Sequence, residues 1–116
     1  MIKSLGFVMA HVPDVEATTA FYTEVVGLQV EQQAPGFVMF KRPDGAGASV
    51  ALSQQGEGEP VERWWYVDAV DQLCAGLQAK GVTVLDQLTD MPFGRYFSIK
   101  DPSGEKIYFL QLPQSV

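Results

Sequence analysis

The sequence FGRYFSIKDPSGEKIYFLQL, Phe93–Leu112, predicts a β-hairpin from local chemistry alone. Aromatic and β-branched residues fill Tyr96–Lys100, and apolar residues return in Lys106–Leu112. Between these runs lies Asp101–Gly104 (DPSG), in which proline restricts φ and glycine permits a positive φ. The stretch therefore predicts strand, turn, strand.

A second copy of this pattern lies in the first half of the chain, at Phe40–Leu52 (FKRPDGAGASVAL). Pro43 and Pro102 are 59 residues apart, and Gly45 and Gly104 are separated by the same distance. The chain is therefore internally repeated, and such a repeat constrains its architecture more than any single motif.

The repeat extends towards the N-terminus of each half. The motif HVPDV, at 11–15, precedes an amphipathic stretch ending at Gly27, and YVDAV, at 66–70, precedes one ending at Gly81. Each half predicts strand, helix, strand, strand, strand. We expect a single α+β domain over 1–116, with two tandem βαβββ modules forming a curled mixed sheet around a cavity. Module 1 is predicted at about 1–55, the linker at about 54–60, and module 2 at about 61–116.

The predicted boundaries follow turn and capping residues. The first helix begins after the N-cap Asp14 and runs to about Val26, with Gly27 at C′. The three- and four-residue spacing that predicts its buried side includes Ala17, Ala20, Phe21, Glu24 and Val25. Asp68 or Asp71 is expected to cap the second helix, which runs to about 80. Its inner stripe would hold Leu73, Leu77 and either Cys74 or Ala75. The strands are predicted at 5–12, 28–33, 37–41, 48–53, 63–67, 82–85, 96–100 and 106–112, with a loop at 86–92.

Composition limits the classes of function. Each half is too small to hold a secure core alone, so the halves should share buried surface within one chain or across a dimer. A net charge of −6 argues against nucleic acid, which attracts basic surfaces. No apolar run is long enough to span a membrane, and no signal-peptide pattern is present, which favours a cytoplasmic location. Cys74, the only cysteine, is expected to be a small buried hydrophobe.

Two motifs, HVPDVEATTAFYTEVVGL and PFGRYFSIKDPSGEKIYF, resemble the vicinal oxygen chelate superfamily. That superfamily includes glyoxalase I, extradiol dioxygenases, fosfomycin-resistance enzymes and bleomycin-resistance binding proteins. The resemblance covers essentially the whole chain and is nearest the bleomycin-resistance branch at 92–104. It implies paired βαβββ modules and a homodimer whose cavities draw on both chains.

In metal-dependent members of this superfamily, each of four central strands contributes one ligand, usually His or Glu. The resemblance places Phe7, Ala51, Glu62 and Tyr108 at these positions, and only Glu62 is a good donor. We therefore expect no metal, no other cofactor and no catalytic residue. The cavity is instead predicted to bind an aromatic or cationic compound. The predicted lining residues are Phe7, Met9, His11, Phe37, Glu62, Trp64, Tyr66, Phe93, Tyr108 and Leu110.

Three functions fit these residues. The first is a metal-independent binding protein that sequesters a small compound, as in antibiotic resistance. The second is a glyoxalase-like lyase or isomerase, or a dioxygenase, with a metal on Glu62 and unconventional donors such as His11 or a partner chain. The third is a scaffold whose cavity has collapsed around its aromatic residues. Trp65 should face away from Trp64 by strand alternation, and Asp101 and Arg95 have structural roles in the simplest interpretation.

Overall fold

The computed structural model describes residues 2–42, 45–54 and 59–113. Contacts group the chain into two compact units. The N-terminal unit is Gly6–Glu62, and the C-terminal unit runs from Arg63 onward and includes the start of the chain up to Leu5. The turn at 43–44 and the linker residues 55–58 lie outside the described residues. The linker and the single-domain organisation stay predictions.

The order of elements confirms the mixed α+β class and the two βαβββ modules. The helical and strand segments are β1 (Ile2–His11), α1 (Val15–Ala20), a π-helical segment (Phe21–Val26), β2 (Val30–Ala34), β3 (Phe37–Phe40), β4 (Ser49–Ser53), β5 (Glu62–Val67), α2 (Val70–Ala79), β6 (Val84–Met91), β7 (Gly94–Lys100) and β8 (Lys106–Gln111). Among the described residues, no helix has the length and apolarity needed to cross a membrane.

Each unit has the same strand topology. The order is β2-β3-β4-β1 in the N-terminal unit and β6-β7-β8-β5 in the C-terminal unit. The first strand of each module runs parallel to its last strand, β1 with β4 and β5 with β8, and the other pairs are antiparallel. The predicted hairpin is confirmed as β7–β8. That the modules surround a cavity stays a prediction.

The hairpin turn has the predicted chemistry. The Asp101 carboxylate accepts hydrogen bonds from the Ser103 backbone N–H at 2.9 Å, the Ser103 hydroxyl at 2.7 Å and the Glu105 N–H at 2.9 Å. The hydroxyl of Ser103 and these backbone amides hold the pKa of Asp101 below its ordinary value. Gly104 has φ +92°, the conformation for which glycine was expected.

The first helical segment begins and ends as predicted but packs differently. Asp14 caps α1 by accepting a hydrogen bond from Ala17 N–H at 3.1 Å, and Gly27 ends the segment with φ +95°. The spacing had placed Phe21 and Val25 on its apolar face, yet both are exposed. Val15 and Tyr22 pack on the core instead, and the chain changes from α to π geometry at Phe21.

The predicted cap of α2 is wrong. Ala69 occupies the N-cap position, with φ +49°, and Asp71 lies inside the first turn. The first helical amide, Val70 N–H, donates to Gln111 Oε1 at the end of β8, at 2.8 Å. A glutamine from the last strand of the module thus replaces a local cap, because it reaches the orphan amides of the helix.

The N-terminal module repeats this arrangement. Val15 N–H donates to Gln54 Oε1 at 3.1 Å, immediately beyond β4. In both modules the residue that follows the last strand, or ends it, fixes the start of the module's helix. This recurring contact defines equivalent positions in the two modules.

Each helix covers one face of its unit's sheet. In the C-terminal unit Cys74 is buried against this sheet, whereas Ala75 is exposed, so Cys74 completes the stripe with Leu73 and Leu77. Burial raises the pKa of the Cys74 thiol, in agreement with the role of a small buried hydrophobe.

The predicted loop at 86–92 is wrong, because β6 extends from Val84 to Met91. This strand contains several polar residues. In the structure the Asp86 carboxylate accepts a hydrogen bond from the Ser98 hydroxyl on β7 and pairs with Lys106 on β8 at 2.8 Å, and the Asp86 N–H donates to Ser98 Oγ at 3.1 Å. Cross-strand partners therefore compensate for the polarity of this strand.

Candidate functional site

The face of the C-terminal sheet opposite α2 is rich in aromatic residues. Trp65 packs with the helix-side core, as predicted, so Trp64 points to the opposite face. Trp64 pairs in register with Tyr108 across β5 and β8, and Tyr66 pairs with Leu110. The structure thus brings four of the predicted lining residues together on one face of one unit.

Four rings on this face form what we call the aromatic cluster: Trp64, Phe93, Tyr96 and Tyr108. Trp64 and Tyr108 are stacked, with centroids 4.1 Å apart and planes inclined by 11°. The centroid of Trp64 lies 5.2 Å from that of Tyr96 and 6.1 Å from that of Phe93. Tyr96 was not among the predicted site residues, although its position in the hairpin strand, opposite Leu110 across β7 and β8, could have indicated it.

Both faces of the Tyr108 ring are occupied. Trp64 covers one face, and Lys106 Nζ lies 4.7 Å from the ring centroid on the other, as a cation–π contact. Asp86 holds this lysine by an ion pair. Partial burial opposes the charge of Lys106, but the hydrogen bond to Asp86 and the contact with Tyr108 outweigh it and raise the pKa of Lys106.

Exposure differs across the aromatic cluster. Trp64 and Tyr108 are only 5% and 7% exposed, whereas Phe93, in the turn between β6 and β7, is 44% exposed. Tyr96 is intermediate. The buried pair of Trp64 and Tyr108 therefore lies beneath an accessible edge formed by Phe93 and Tyr96.

The other predicted residues lie in the N-terminal unit. Phe7 and Met9 on β1 and Phe37 on β3 lie on the sheet face opposite the helix-side core of Ala10 and Val38. Phe7 is buried and Met9 is partly exposed. The alternation of β1 and β3 was therefore assigned correctly, and the ligand-binding role of these residues stays a prediction.

His11 and Glu62 are in direct contact within the N-terminal unit. His11 Nε2 lies 3.0 Å from Glu62 Oε2, and the two side chains are 8% and 20% exposed. They are 51 residues apart in sequence. Both were predicted to line the site, but the sequence did not show that they meet. The structure thus places the histidine in a hydrogen bond at the end of its strand.

The four positions that the resemblance assigns to metal ligands do not provide a chelating set. Phe7 and Ala51 carry no donor atom, the Tyr108 ring is stacked, and Glu62 contacts His11. Over 2–42, 45–54 and 59–113, no group of three or more His, Cys, Asp or Glu side chains could hold a metal ion. This donor set does not fit a divalent ion, which needs several converging ligands.

Arg95 has the structural role that the sequence suggested. Its Nε donates to Asp71 of α2 at 2.8 Å, and its Nη1 donates to Asp90 of β6 at 3.0 Å. The guanidinium lies in a cavity of about 510 Å³ beside the start of α2. It therefore ties the helix to the sheet edge.

A protein-family model agrees with this architecture. The model of the Glyoxalase/Bleomycin resistance protein/Dioxygenase superfamily matches residues 4–109. The chain belongs to this superfamily. The resemblance recognised in the two motifs is thereby confirmed. No curated protein sequence matches this superfamily member.

Solved structures of other members share the fold. Methylmalonyl-CoA epimerase from Mycobacterium tuberculosis is 17% identical, with a TM-score of 0.78 over 97% of this chain and 90% of the epimerase. A superfamily member from Vibrio splendidus 12B01 is 19% identical, with a TM-score of 0.73 over 90% of this chain and 96% of its own. An extradiol ring-cleaving dioxygenase from B. fuscum is 18% identical, with a TM-score of 0.73 over 99% of this chain but 34% of the dioxygenase. At these identities the likeness shows the fold alone.

Proposed function

We propose that this superfamily member binds a small planar aromatic compound, neutral or cationic, without a metal ion, and acts by sequestration. The observation that carries the proposal is the stacking of Tyr108, at a family metal position, on Trp64 at 4.1 Å. A ring pair replaces a donor where metal-dependent members would bind an ion. Sequestration needs affinity rather than catalytic groups, as in the bleomycin-resistance branch. A cytoplasmic homodimer belongs to the same proposal.

The accessible edge of the aromatic cluster is the proposed contact surface. Because Trp64 and Lys106 occupy both faces of Tyr108, a planar guest would stack on Phe93 and Tyr96 instead. Offset or edge-to-face ring contacts contribute about 0.5–1.5 kcal/mol each beyond the burial of area. The negative charge of the chain favours a cationic guest over an anionic one.

Tryptophan fluorescence tests this surface directly. A Trp65→Phe variant leaves Trp64 as the only tryptophan, so its emission reports on the aromatic cluster alone. We expect N-methylquinolinium to change this emission in a saturable manner, and more strongly than neutral quinoline does. Phe93→Leu should weaken binding about two- to tenfold, the loss expected for one aromatic contact. Phe21→Leu, which removes an exposed ring from the N-terminal unit, is the matched control and should leave affinity unchanged.

Two results would count against sequestration by this surface. One is an emission of Trp64 that responds to no aromatic compound. The other is equal affinity in the Phe93→Leu and Phe21→Leu variants. Either result would favour a scaffold in which the rings are ordinary core.

The contact between His11 and Glu62 favours a second candidate, a metal-dependent enzyme with an unconventional site. These residues bring one imidazole and one carboxylate together, and a partner chain would have to complete the ligand set. Titration calorimetry with Zn²⁺ or Ni²⁺ separates the candidates. Tight binding of one ion per chain that is lost in Glu62→Gln would support the enzyme, whereas sequestration predicts no stoichiometric binding.

A further inference from the structure

A large cavity lies in the N-terminal unit and shares no lining residue with the aromatic cluster. Its volume is about 920 Å³, and it lies between α1 and the turn that joins β2 to β3. A volume of this size is within the range of small-molecule sites. Neither the aromatic proposal nor the contact of His11 with Glu62 uses this cavity.

The lining of the cavity suits a cation with several hydrogen-bond donors. Glu16 and Glu24 contribute carboxylates, and the lining includes no lysine or arginine among the described residues. Thr19 lines the same cavity, and its Oγ1 is buried without a hydrogen-bond partner in the described part of the chain. Val15 and Val38 provide buried apolar surface.

The duplicated module supplies an internal reference for this chemistry. The start of each helix is held by a glutamine, Val15 by Gln54 and Val70 by Gln111. One acidic residue follows each of these valines directly, Glu16 in the first module and Asp71 in the second. The two first turns therefore present a carboxylate at equivalent positions.

The modules differ at the position opposite this glutamine. Arg95 lies opposite Gln111 across β7 and β8, and its guanidinium binds the carboxylate of Asp71. In the first module Phe37 pairs with Ser53 across β3 and β4. The next residues along the two chain segments, Gly36 and Gln54, also lie opposite each other, and the Gln54 N–H donates to the Gly36 carbonyl at 2.9 Å. Gly36 therefore takes the place of Arg95 and has no side chain to supply a cation.

The room beside Gly36 agrees with this comparison. A Cβ placed on Gly36 would have as its nearest neighbour Gln54 Cβ, at 3.7 Å, which is an ordinary contact distance. The cavity in this module is about 920 Å³, against about 510 Å³ where Arg95 is present. Within the described residues Glu16 forms no ion pair, whereas Asp71 binds Arg95.

We propose that this cavity binds a small compound carrying a guanidinium group, which occupies the place that Arg95 fills in the other module. The guanidinium would donate to Glu16, as Arg95 donates to Asp71. Planar guanidinium groups form directional pairs with carboxylates. The site is independent of the aromatic cluster, so either proposal can fail without the other.

Amide NMR with two matched probes tests the cavity. n-Propylguanidine reproduces the arginine side chain without its backbone, and n-propylurea has the same shape without charge. We expect n-propylguanidine to shift the amide signals of Thr19, Thr23 and Gly36 in a saturable manner, and n-propylurea to have little effect. Glu16→Gln should weaken binding about two- to fivefold, the effect of removing one exposed ion pair. Glu31→Gln, on β2 outside the cavity, is the control and should not change binding.

Three outcomes would overturn the proposal. The first is an absence of saturable shifts at the cavity with n-propylguanidine. The second is an equal response to n-propylurea, which would show that charge is not recognised. The third is an equal affinity in Glu16→Gln and Glu31→Gln, since the loss would then follow total charge rather than position. Because the probe has no ring, shifts confined to the aromatic cluster would also count against the cavity.

Discussion

Replacing Gly94 by alanine should destabilise the C-terminal unit severely, for two reasons that the structure separates. Gly94 begins β7 with φ +143°, a conformation that side chains rarely adopt. An added Cβ would lie 2.4 Å from the backbone oxygen of Gln111 and 2.8 Å from Leu110 Cδ1. Backbone strain of this kind costs about 1–3 kcal/mol, and overpacking costs about 1–3 kcal/mol more. The lower entropy of the unfolded alanine chain recovers about 0.4–1 kcal/mol, so the expected loss is about 1–6 kcal/mol.

Two other glycines provide matched controls. Gly81 has φ +87°, and a Cβ added there would have no heavy atom within 4 Å among the described residues beyond its chain neighbours, so Gly81→Ala introduces strain without a clash. The strain should lower the free energy of unfolding by about 1–2 kcal/mol. The lower entropy of the unfolded alanine chain recovers part of this loss, as in Gly94→Ala. Gly76 lies within α2, in open surroundings and without a positive φ. Gly76→Ala should stabilise the protein by about 0.5–1 kcal/mol.

Urea unfolding followed by circular dichroism measures all three variants, with the slopes compared to confirm that the unfolding transitions are equivalent. The expected order of stability is Gly76→Ala, the natural chain, Gly81→Ala and Gly94→Ala. A Gly94→Ala variant no less stable than Gly81→Ala would refute the close approach of β7 to Gln111. The Gln111 carbonyl belongs to the backbone and cannot move away without disturbing the hydrogen bonds between β7 and β8. Structural relaxation would therefore recover little of the stability lost in Gly94→Ala.

The remaining predictions concern the ion pair of β6 and the start of α2. Hydrogen bonds from Lys106 and Ser98 hold the pKa of Asp86 below its ordinary value, although burial opposes them. The stabilisation is therefore present above the unfolded pKa of about 3.9 and is lost as the pH falls through the lower folded pKa. Asp86→Asn should lower the free energy of unfolding by about 0.5–1 kcal/mol at pH 7, since the ion pair is partly exposed. This loss should become smaller below about pH 4. A difference in urea midpoints between the variant and the natural chain that stays constant down to about pH 2.5 would contradict the assignment. Gln111→Ala should cost about 1 kcal/mol, the value of a lost cap, and accelerate hydrogen exchange of the Val70 amide, whereas unchanged exchange would show that the contact does not hold the helix.

The fold was predictable where local chemistry was sufficient. The turn at Asp101–Gly104, the cap at Asp14 and the end of the first helix at Gly27 all depend on residues a few positions apart. The start of α2 was not predictable in this way, because its cap comes from Gln111, 41 residues along the chain. The polar strand β6 was missed for the same reason, since its carboxylates are satisfied by other strands.

The candidate site was also predictable only where a local pattern was sufficient. Strand alternation correctly separated Trp64 from Trp65, because the side of a strand follows from a period of two. Alternation does not give the register between β5 and β8, so the stack of Trp64 on Tyr108 could not be derived from sequence. Lys106 was likewise not anticipated as the cover of the second face of Tyr108, although it shares that face of β8.

Tyr108, which the resemblance assigns to a family metal position, contributes to the contact between two strands of the sheet. A chelating set brings negatively charged groups together and relies on an ion to offset their repulsion. Here the strands β5 and β8 are joined at the same position by a ring stack, worth about 0.5–1.5 kcal/mol beyond burial. The adjacent charge is also neutralised internally, because Lys106 pairs with Asp86 while it covers Tyr108. The ring stack and the ion pair therefore both stabilise this face of the C-terminal unit, and Phe93 forms its exposed edge.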